Sequence, residues 1–493
     1  MATEEEKVST PHLEQLTPES LELLTPPTLT PREEARTWMK IDLRLMPILI
    51  LLYLSSFLDR ANIGLAKLQG LTEELKLTGN KYNIALTVFF IPYCLFEFPS
   101  NLVLKKFRPS RWLPGIAVLW GAVMVSMGFV KTYHQLVGAR FCLGVAEAGL
   151  FPGVIYYLTL WYPRHRLQYR VGLFLGASSL SGAFSGLLAY GIGFMSGTAG
   201  KLGWSWIFIL EGCGTVVVGV LAFFVMVDFP STAKFLTPKE KNYLLWVKKY
   251  DTTSVGEEEH FEFRHIIMAV TDWQVWVHIL LYWSIVGPLY GIALFLPSII
   301  RGFGFSVPIS NLLTVPPYAV ATIVLLLFAH FADKLKLRWP FVLASQLLCV
   351  AGFSINISDA SIRVKYFGTF LCAAGAYSGF PGILAWCGGN LAGQYKRSAA
   401  LAIYIGLGNF AAAASSNLYR TRDAPKYKFG HGIELGFVGM GMAVLPFTVY
   451  AYKRINAQRE ALVKQGEESG GLKYTDEELR RMGDRAPEFR YGI

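Results

Sequence analysis

Charge is what this chain has least of. Acidic and basic residues make up only 16% of its 493 positions, against about 25% in soluble domains. A chain of this length has room for about three soluble domains, and the scarcity of charge argues against them. The six cysteines (Cys94, Cys142, Cys213, Cys349, Cys372 and Cys387) fall in or beside apolar stretches, with no CxxC and no paired loop spacing. Neither a disulfide framework nor a zinc site is expected from that pattern. The first forty residues are acidic and rich in Thr and Pro, and they lack the apolar core of a secretory signal. No G-x-x-x-x-G-K-S/T phosphate loop is present, so an ATP-driven pump has no support. No Ser/His/Asp or metal-ligand constellation stands out either. An enzyme is not indicated, and no cofactor or metal is called for.

What the chain does have is apolar length. Hydrophobic residues reach 53%, mean hydropathy is +0.38, and Val216 to Val227 runs without a polar residue. A bilayer-spanning helix needs about 20 such residues. Hydropathy predicts spans near 43–66, 83–104, 112–130, 135–160, 171–195 and 204–228, then near 274–300, 309–332, 339–357, 364–388, 397–419 and 432–452. The expected fold is an all-α membrane protein, with twelve transmembrane helices in two six-helix bundles. The domain plan is a disordered tail at 1–40, bundles at 41–230 and 273–455, a central loop at 231–272 and a tail at 456–493. Within the central loop, Thr237-Pro238-Lys239-Glu240 has the form of a capping box and predicts a short surface helix.

The formal charge of +11 is spread over short loops and forms no single basic stripe, which fits positive-inside loops better than nucleic-acid binding. Even-numbered connections hold clusters such as Lys105, Lys106 and Arg108, or Lys334, Lys336 and Arg338. Most odd-numbered ones are poorer in Lys and Arg. The bias predicts both termini in the cytoplasm, with the Asn356-Ile357-Ser358 glycosylation sequon at the outer end of span nine. A monomer in the plasma membrane is expected.

The two halves resemble each other. Phe151-Pro152-Gly153-Val154 in span four matches Phe380-Pro381-Gly382-Ile383 in span ten, and Asp333-Lys334 falls opposite Leu104-Lys105. Bundles repeated about an axis along the membrane normal place a substrate site between them near the midplane.

Span one carries the sharpest signal. Its uncharged run, Leu45 to Leu58, is too short to cross, so the helix must continue through Asp59, Arg60, Ala61 and Asn62. Ionised groups there cost at least about 2.5 kcal/mol each unless paired or hydrated, and the alternative is a snorkelling helix-end pair. In span four, Arg140 and Glu147 stand close to two turns apart on one face. Glu147 lies among Gly144, Ala146, Ala148 and Gly149, a setting that suits a carboxyl for carrying protons; the plainer role is a hydrogen bond to a neighbouring helix. Glu97 and Glu211 are assigned to packing or a salt bridge near span ends. His278 and His330 are assigned to ordinary hydrogen bonding, and Asn390 and Asn409 to the cavity from spans ten and eleven.

These residues resemble the major facilitator superfamily. Asp333-Lys334 with Lys336 and Arg338 resembles its loop signature, and Arg140-x-x-x-Gly144 its basic motif. The resemblance implies a charged gate at Asp333, Lys334 and Arg338, with Leu104 breaking the first-half copy. Within the superfamily the chain resembles the anion:cation symporters, and more closely the fungal allantoate permease group. The matching stretches are Leu58-Asp59-Arg60-Ala61-Asn62-Ile63-Gly64; Glu97 to Asn101; Arg140 to Gly153; Trp206-Ile207-Phe208 with Glu211-Gly212; and Asp423-Ala424-Pro425 with Gly430-His431. That group carries nicotinate, pantothenate, biotin and allantoate.

The resemblance implies that Arg60 binds a substrate carboxylate and that Asp59 and Glu147 move protons, with Asn409 a further substrate contact. A Gln expected in span five is absent, and Ser178 and Ser179 occupy that neighbourhood. Span five also lacks the Gly-Pro pair of antiporters. The implied activity is proton-coupled uptake of a small organic anion. The rival readings are export of an acidic secondary metabolite and a non-transporting nutrient sensor.

Overall fold

The computed structural model describes residues 29–253, 263–392, 394–468, 474, 478 and 482–493. Among these, eleven helices are long and apolar enough to cross a membrane. A further 26-residue helix, Lys81–Lys106, carries Glu97 and two internal prolines, Pro92 and Pro99. The first bundle comprises α1 (Pro31–Ala66), α2 (Lys81–Lys106), α3 (Pro109–Met127), α4 (Tyr133–Trp161), α5 (Arg164–Gly193) and α6 (Gly203–Val225). The second comprises α7 (Trp273–Gly302), α8 (Val315–Leu335), α9 (Trp339–Ile357), α10 (Ile362–Gly389), α11 (Gln394–Gly408 with Phe410–Ser415) and α12 (Lys428–Glu468). Large apolar side chains face outward, as Phe224 does at 78% exposure. Polar groups such as Asp59, Glu147 and Glu434 are wholly enclosed. That inversion of the soluble pattern is what a lipid surround selects.

Within the first bundle α3 packs on α6 and α1 on α5 and α6; within the second α9 packs on α10 and α7 on α12. The bundles meet through α1 with α7, α2 with α11 and α5 with α8. The start of α1 at Pro31, the start of α7 and the segment 482–493 lie at one end of the molecule, the terminal end. The opposite end is the far end.

Both terminal segments depart from the sequence reading. The helix begins at Pro31, inside the stretch expected to be tail, because Thr30 and Glu33 close a capping box around a proline at the first helical turn. The remainder of that expected tail, 1–28, lies outside the described residues. The extended start of α1 is held by the surface helix Pro238–Thr253. Its own box is formed by Thr237 and Glu240, and Glu240 accepts from Lys40 Nζ at 2.6 Å.

The expected tail at 456–493 is largely built in. Helix α12 continues to Glu468, and residues 482–493 fold back under the second bundle. Lys396 Nζ lies 2.6 Å from both Asp272 and Asp484, all three buried. Gln274 donates to Asp484 and to the Tyr491 hydroxyl. Arg459 donates to the carbonyls of Asp484 and Phe489. Trp386 Nε1 donates to the Gly492 carbonyl, and the Arg338 amide to that of Ile493. This strap therefore ties the ends of α7, α9, α10, α11 and α12.

Removing one partner from a buried ion cluster strands the others, at a cost of about 3 kcal/mol or more. Lys396→Met should therefore lower the thermal unfolding transition of the detergent-purified protein well below that of the wild type. An unshifted transition would mean that the cluster does not hold the strap.

Candidate functional site

Helix α1 presents two opposite charges that diverge. Successive helical residues lie about 100° apart at 3.6 residues per turn, so Asp59 and Arg60 face different neighbours. Asp59 turns into the first bundle, where its Oδ2 accepts from Trp120 Nε1 at 3.0 Å and from Thr215 Oγ1 at 2.8 Å. Glu211 stands close to it and accepts from Asn62 at 2.9 Å. Glu211 is thus enclosed in the middle of α6, not near a span end as the sequence suggested.

Arg60 turns to the space between the bundles. Its Nε donates to Glu147 Oε1 at 2.8 Å and its Nη1 to the Tyr290 hydroxyl of α7 at 2.8 Å. Ser56, one turn earlier on α1, donates to the same Glu147 oxygen. The guanidinium also lies over the rings of Tyr93, Phe57 and Phe89, at 4.5, 5.2 and 5.7 Å. Arg60 Nη2 and Glu147 Oε2 have no hydrogen-bond partner.

Glu147 is positioned by a break in α4. Pro152 lacks the amide that would bond the Ala148 carbonyl, and its ring crowds that carbonyl. The helix accordingly stops at Glu147 and resumes at Leu150. Arg140 is buried two turns away, but the carboxylate bonds Arg60. Arg140 Nε and Nη2 have no hydrogen-bond partner.

A narrow pocket opens against Arg60, lined by Tyr53, Phe57, Tyr93, Tyr282, Tyr290, Ile405 and Asn409. Phe151 and Phe380, the paired phenylalanines of the internal repeat, enter it from α4 and α10. Asn409 sits at the break in α11 and accepts from the Tyr282 hydroxyl at 3.5 Å. Glu97 lies beside Asn409 and is 7% exposed, packed behind that edge of the cavity. Its spacing of four from Tyr93 puts both on one face of α2, a signal the sequence held.

Other expected site residues lie elsewhere. Asn390 caps the terminal end of α10 and exchanges hydrogen bonds of 2.9 and 2.7 Å with Gly492 of the strap, away from the cavity. Ser179 accepts from Thr322 Oγ1 at 3.0 Å across the α5–α8 contact and does not line the cavity. Asp333 pairs with Arg338 at 2.6 Å within the second bundle, and Lys334 is exposed. His278 is bonded to the Tyr452 hydroxyl at 2.9 Å. Asn356 is 4% exposed and donates to the Gly352 carbonyl, so it is no accessible glycosylation acceptor.

The far end is closed across the bundles. Asn83 of α2 donates to the Ser416 carbonyl at 2.7 Å, Thr87 bonds the Ser416 hydroxyl at 2.9 Å, and Asn417 donates to Thr87 at 2.7 Å. Gly64 of α1 lies directly on the Leu294 carbonyl of α7, where any Cβ would collide.

The Major Facilitator Superfamily model matches residues 49–416. The chain belongs to the major facilitator superfamily. This facilitator is 33% identical over 473 residues to the MFS-type transporter cnsO of Penicillium expansum, covering 92% of this chain and 89% of that protein. It is 32% identical over 461 residues to the high-affinity nicotinic acid transporter of Saccharomyces cerevisiae, covering 93% and 85%. The facilitator shares its fold with the Escherichia coli xylose transporter XylE in a partially occluded inward open conformation. There the TM-score is 0.65 at 15% identity, over 83% of this chain and 97% of that one. A bacterial homologue of human Spinster, inward-facing and occupied, aligns with a TM-score of 0.60 at 13% identity, over 83% and 96%. The facilitator is a multi-pass membrane transporter and not an enzyme.

Far-end closure should depend on the absent side chain at Gly64. In a Gly64→Ala variant, a cysteine placed at Ser416 should become more reactive toward a bulky polar thiol reagent than in the Gly64 background. Equal reactivity would show that the α1–α7 approach does not govern closure.

Proposed function

We propose that this transporter takes up a small organic anion together with protons. The observation that supports the reading most is the Arg60 guanidinium. It is a buried cation in an aromatic cavity between the bundles, with one nitrogen unpartnered and another on Glu147. A carboxylate bonded by arginine makes charge-assisted, often bidentate contacts, and an aromatic wall suits a flat ring. A proton arriving at Glu147 weakens its hold on Arg60 and leaves the guanidinium for the cargo. The loaded cavity is then close to neutral, which favours reorientation through the bilayer. Asp59 is a second proton-carrying carboxyl in this reading, and Arg140 supplies a nearby compensating charge. Asn409 contributes the polar contact from the second bundle, and the Asp333–Arg338 pair gates the terminal end.

The substrate class is a monocarboxylate such as nicotinate, a vitamin acid or a ureide. The likeness to a nicotinic acid transporter and to the allantoate permease pattern supports that range. Both termini are assigned to the cytoplasm of a plasma-membrane monomer, on the Lys and Arg of the even-numbered loops.

In proteoliposomes, uptake of labelled nicotinate or a related monocarboxylate should rise with an inward proton gradient, and Glu147→Gln should abolish that dependence. Gradient-driven uptake that survives the change excludes the role of Glu147. Arg60→Lys loses the planar fork and should cost about 2 kcal/mol in substrate binding, roughly a thirtyfold rise in KM.

A further inference from the structure

Of the buried carboxyls that take no part in the steps above, one stands apart. Glu434, on α12, has no exposed surface, and neither of its oxygens has a hydrogen-bond partner. The oxygens rest against Gly287 and Gly291 of α7. These two glycines are one turn apart, and a side chain at either would fill the slot the carboxyl occupies. Ser415, at the end of α11, stands beside it with a hydroxyl that also lacks a partner.

The titratable groups around Glu434 are uncharged. Cys349 comes from α9, Cys372 from α10, and Tyr419 from the chain beyond α11; α7 offers only its glycines. On α12 itself, His431 lies one turn earlier with its Nδ1 against the Tyr419 hydroxyl at 3.1 Å. No basic side chain among the described residues pairs with Glu434. A carboxylate buried with no cation and only a serine hydroxyl beside it costs several kcal/mol. The closed far end therefore holds this group neutral, and that requires a proton.

The surroundings of Glu434 are also the parts that close the far end. Ser416, the residue after Ser415, takes the bonds from Asn83 and Thr87. Helix α7 presents Tyr290 to Arg60 and seats Glu434 through the adjoining position, Gly291. We propose that Glu434 is a further proton-binding site, in the second bundle, whose neutral form allows the far gate to close and whose ionised form belongs to the open gate. The proton arrives from the far-side solution when α7 and α11 separate from the first bundle. The site neutralises on closure without touching the cargo.

The inference rests on the proton-coupled reading, and two measurements separate the two. Infrared difference spectra of the full chain in lipid, titrated by pH, should contain a protonated-carboxyl band. Glu434→Gln should lose one group's share of that band, and an unchanged band overturns the proposal. With a cysteine at Ser416, labelling by a polar thiol reagent should rise with pH more steeply in the wild-type background than in Glu434→Gln, whose gate stays closed. Parallel profiles also overturn it. If the glutamine variant fails to fold, Glu434→Asp should move the midpoint of the infrared titration, and an unmoved midpoint counts against the site. A wild type that loses the Glu434 band on cue yet transports without regard to the proton gradient supports the site and retires the symport reading alone.

Discussion

A bilayer gives a buried charge no water to lean on, so each charge must bring its own partner. Arg60 and Glu147 meet that requirement across two helices, and much of the site follows from it. The pair needs α4 to stop at Glu147, which Pro152 brings about. It needs Ser56 one turn before Arg60 to share the carboxylate. It also needs ring faces around the guanidinium, supplied by Phe57, Phe89 and Tyr93, because a cation over an aromatic face recovers part of its lost hydration. Tyr290 adds a hydrogen bond from the opposite bundle. The same guanidinium thus belongs to the cavity wall and to the interface between the halves.

The bundles divide the remaining polar groups unequally. Asp59, Glu211, Arg140 and Glu147 are all buried in the first bundle. The cavity-facing part of the second bundle is mostly aromatic and aliphatic, with Asn409 as its amide. Glu434, enclosed in that bundle, lies behind α7 against glycine. Electrostatic work is therefore concentrated on one side of the cavity, and shape on the other.

Much of this was legible in the chain. The apolar blocks implied two sets of six helices, and the shortness of the uncharged run before Asp59 put Asp59 and Arg60 inside the membrane. The repeated Phe-Pro-Gly pointed to equivalent places in the two halves, and both phenylalanines line the cavity. Rotation about a helix was harder to read. Asn390 and Asn409 look alike in sequence, yet one caps a helix end and the other faces the cavity. Ser179 occupies a promising span but turns to Thr322. Glu97 was read only by its position near a span end, and its partner Asn409 is more than three hundred residues away. The end of the chain was hidden for a different reason. Charged, low-hydropathy residues look like a free tail unless one knows that Lys396 waits buried between Asp272 and Asp484.

That strap bears on how the molecule can move. Alternating access asks each half of such a carrier to turn largely as a rigid body. Five helix ends stitched to one short segment make the second half behave as a single casting, so strain from the cavity is passed to the interface and not absorbed at loose ends. There is a practical side as well. The Ile493 carbonyl is already held beneath α9, so a reporter fused after it would start from inside the joint.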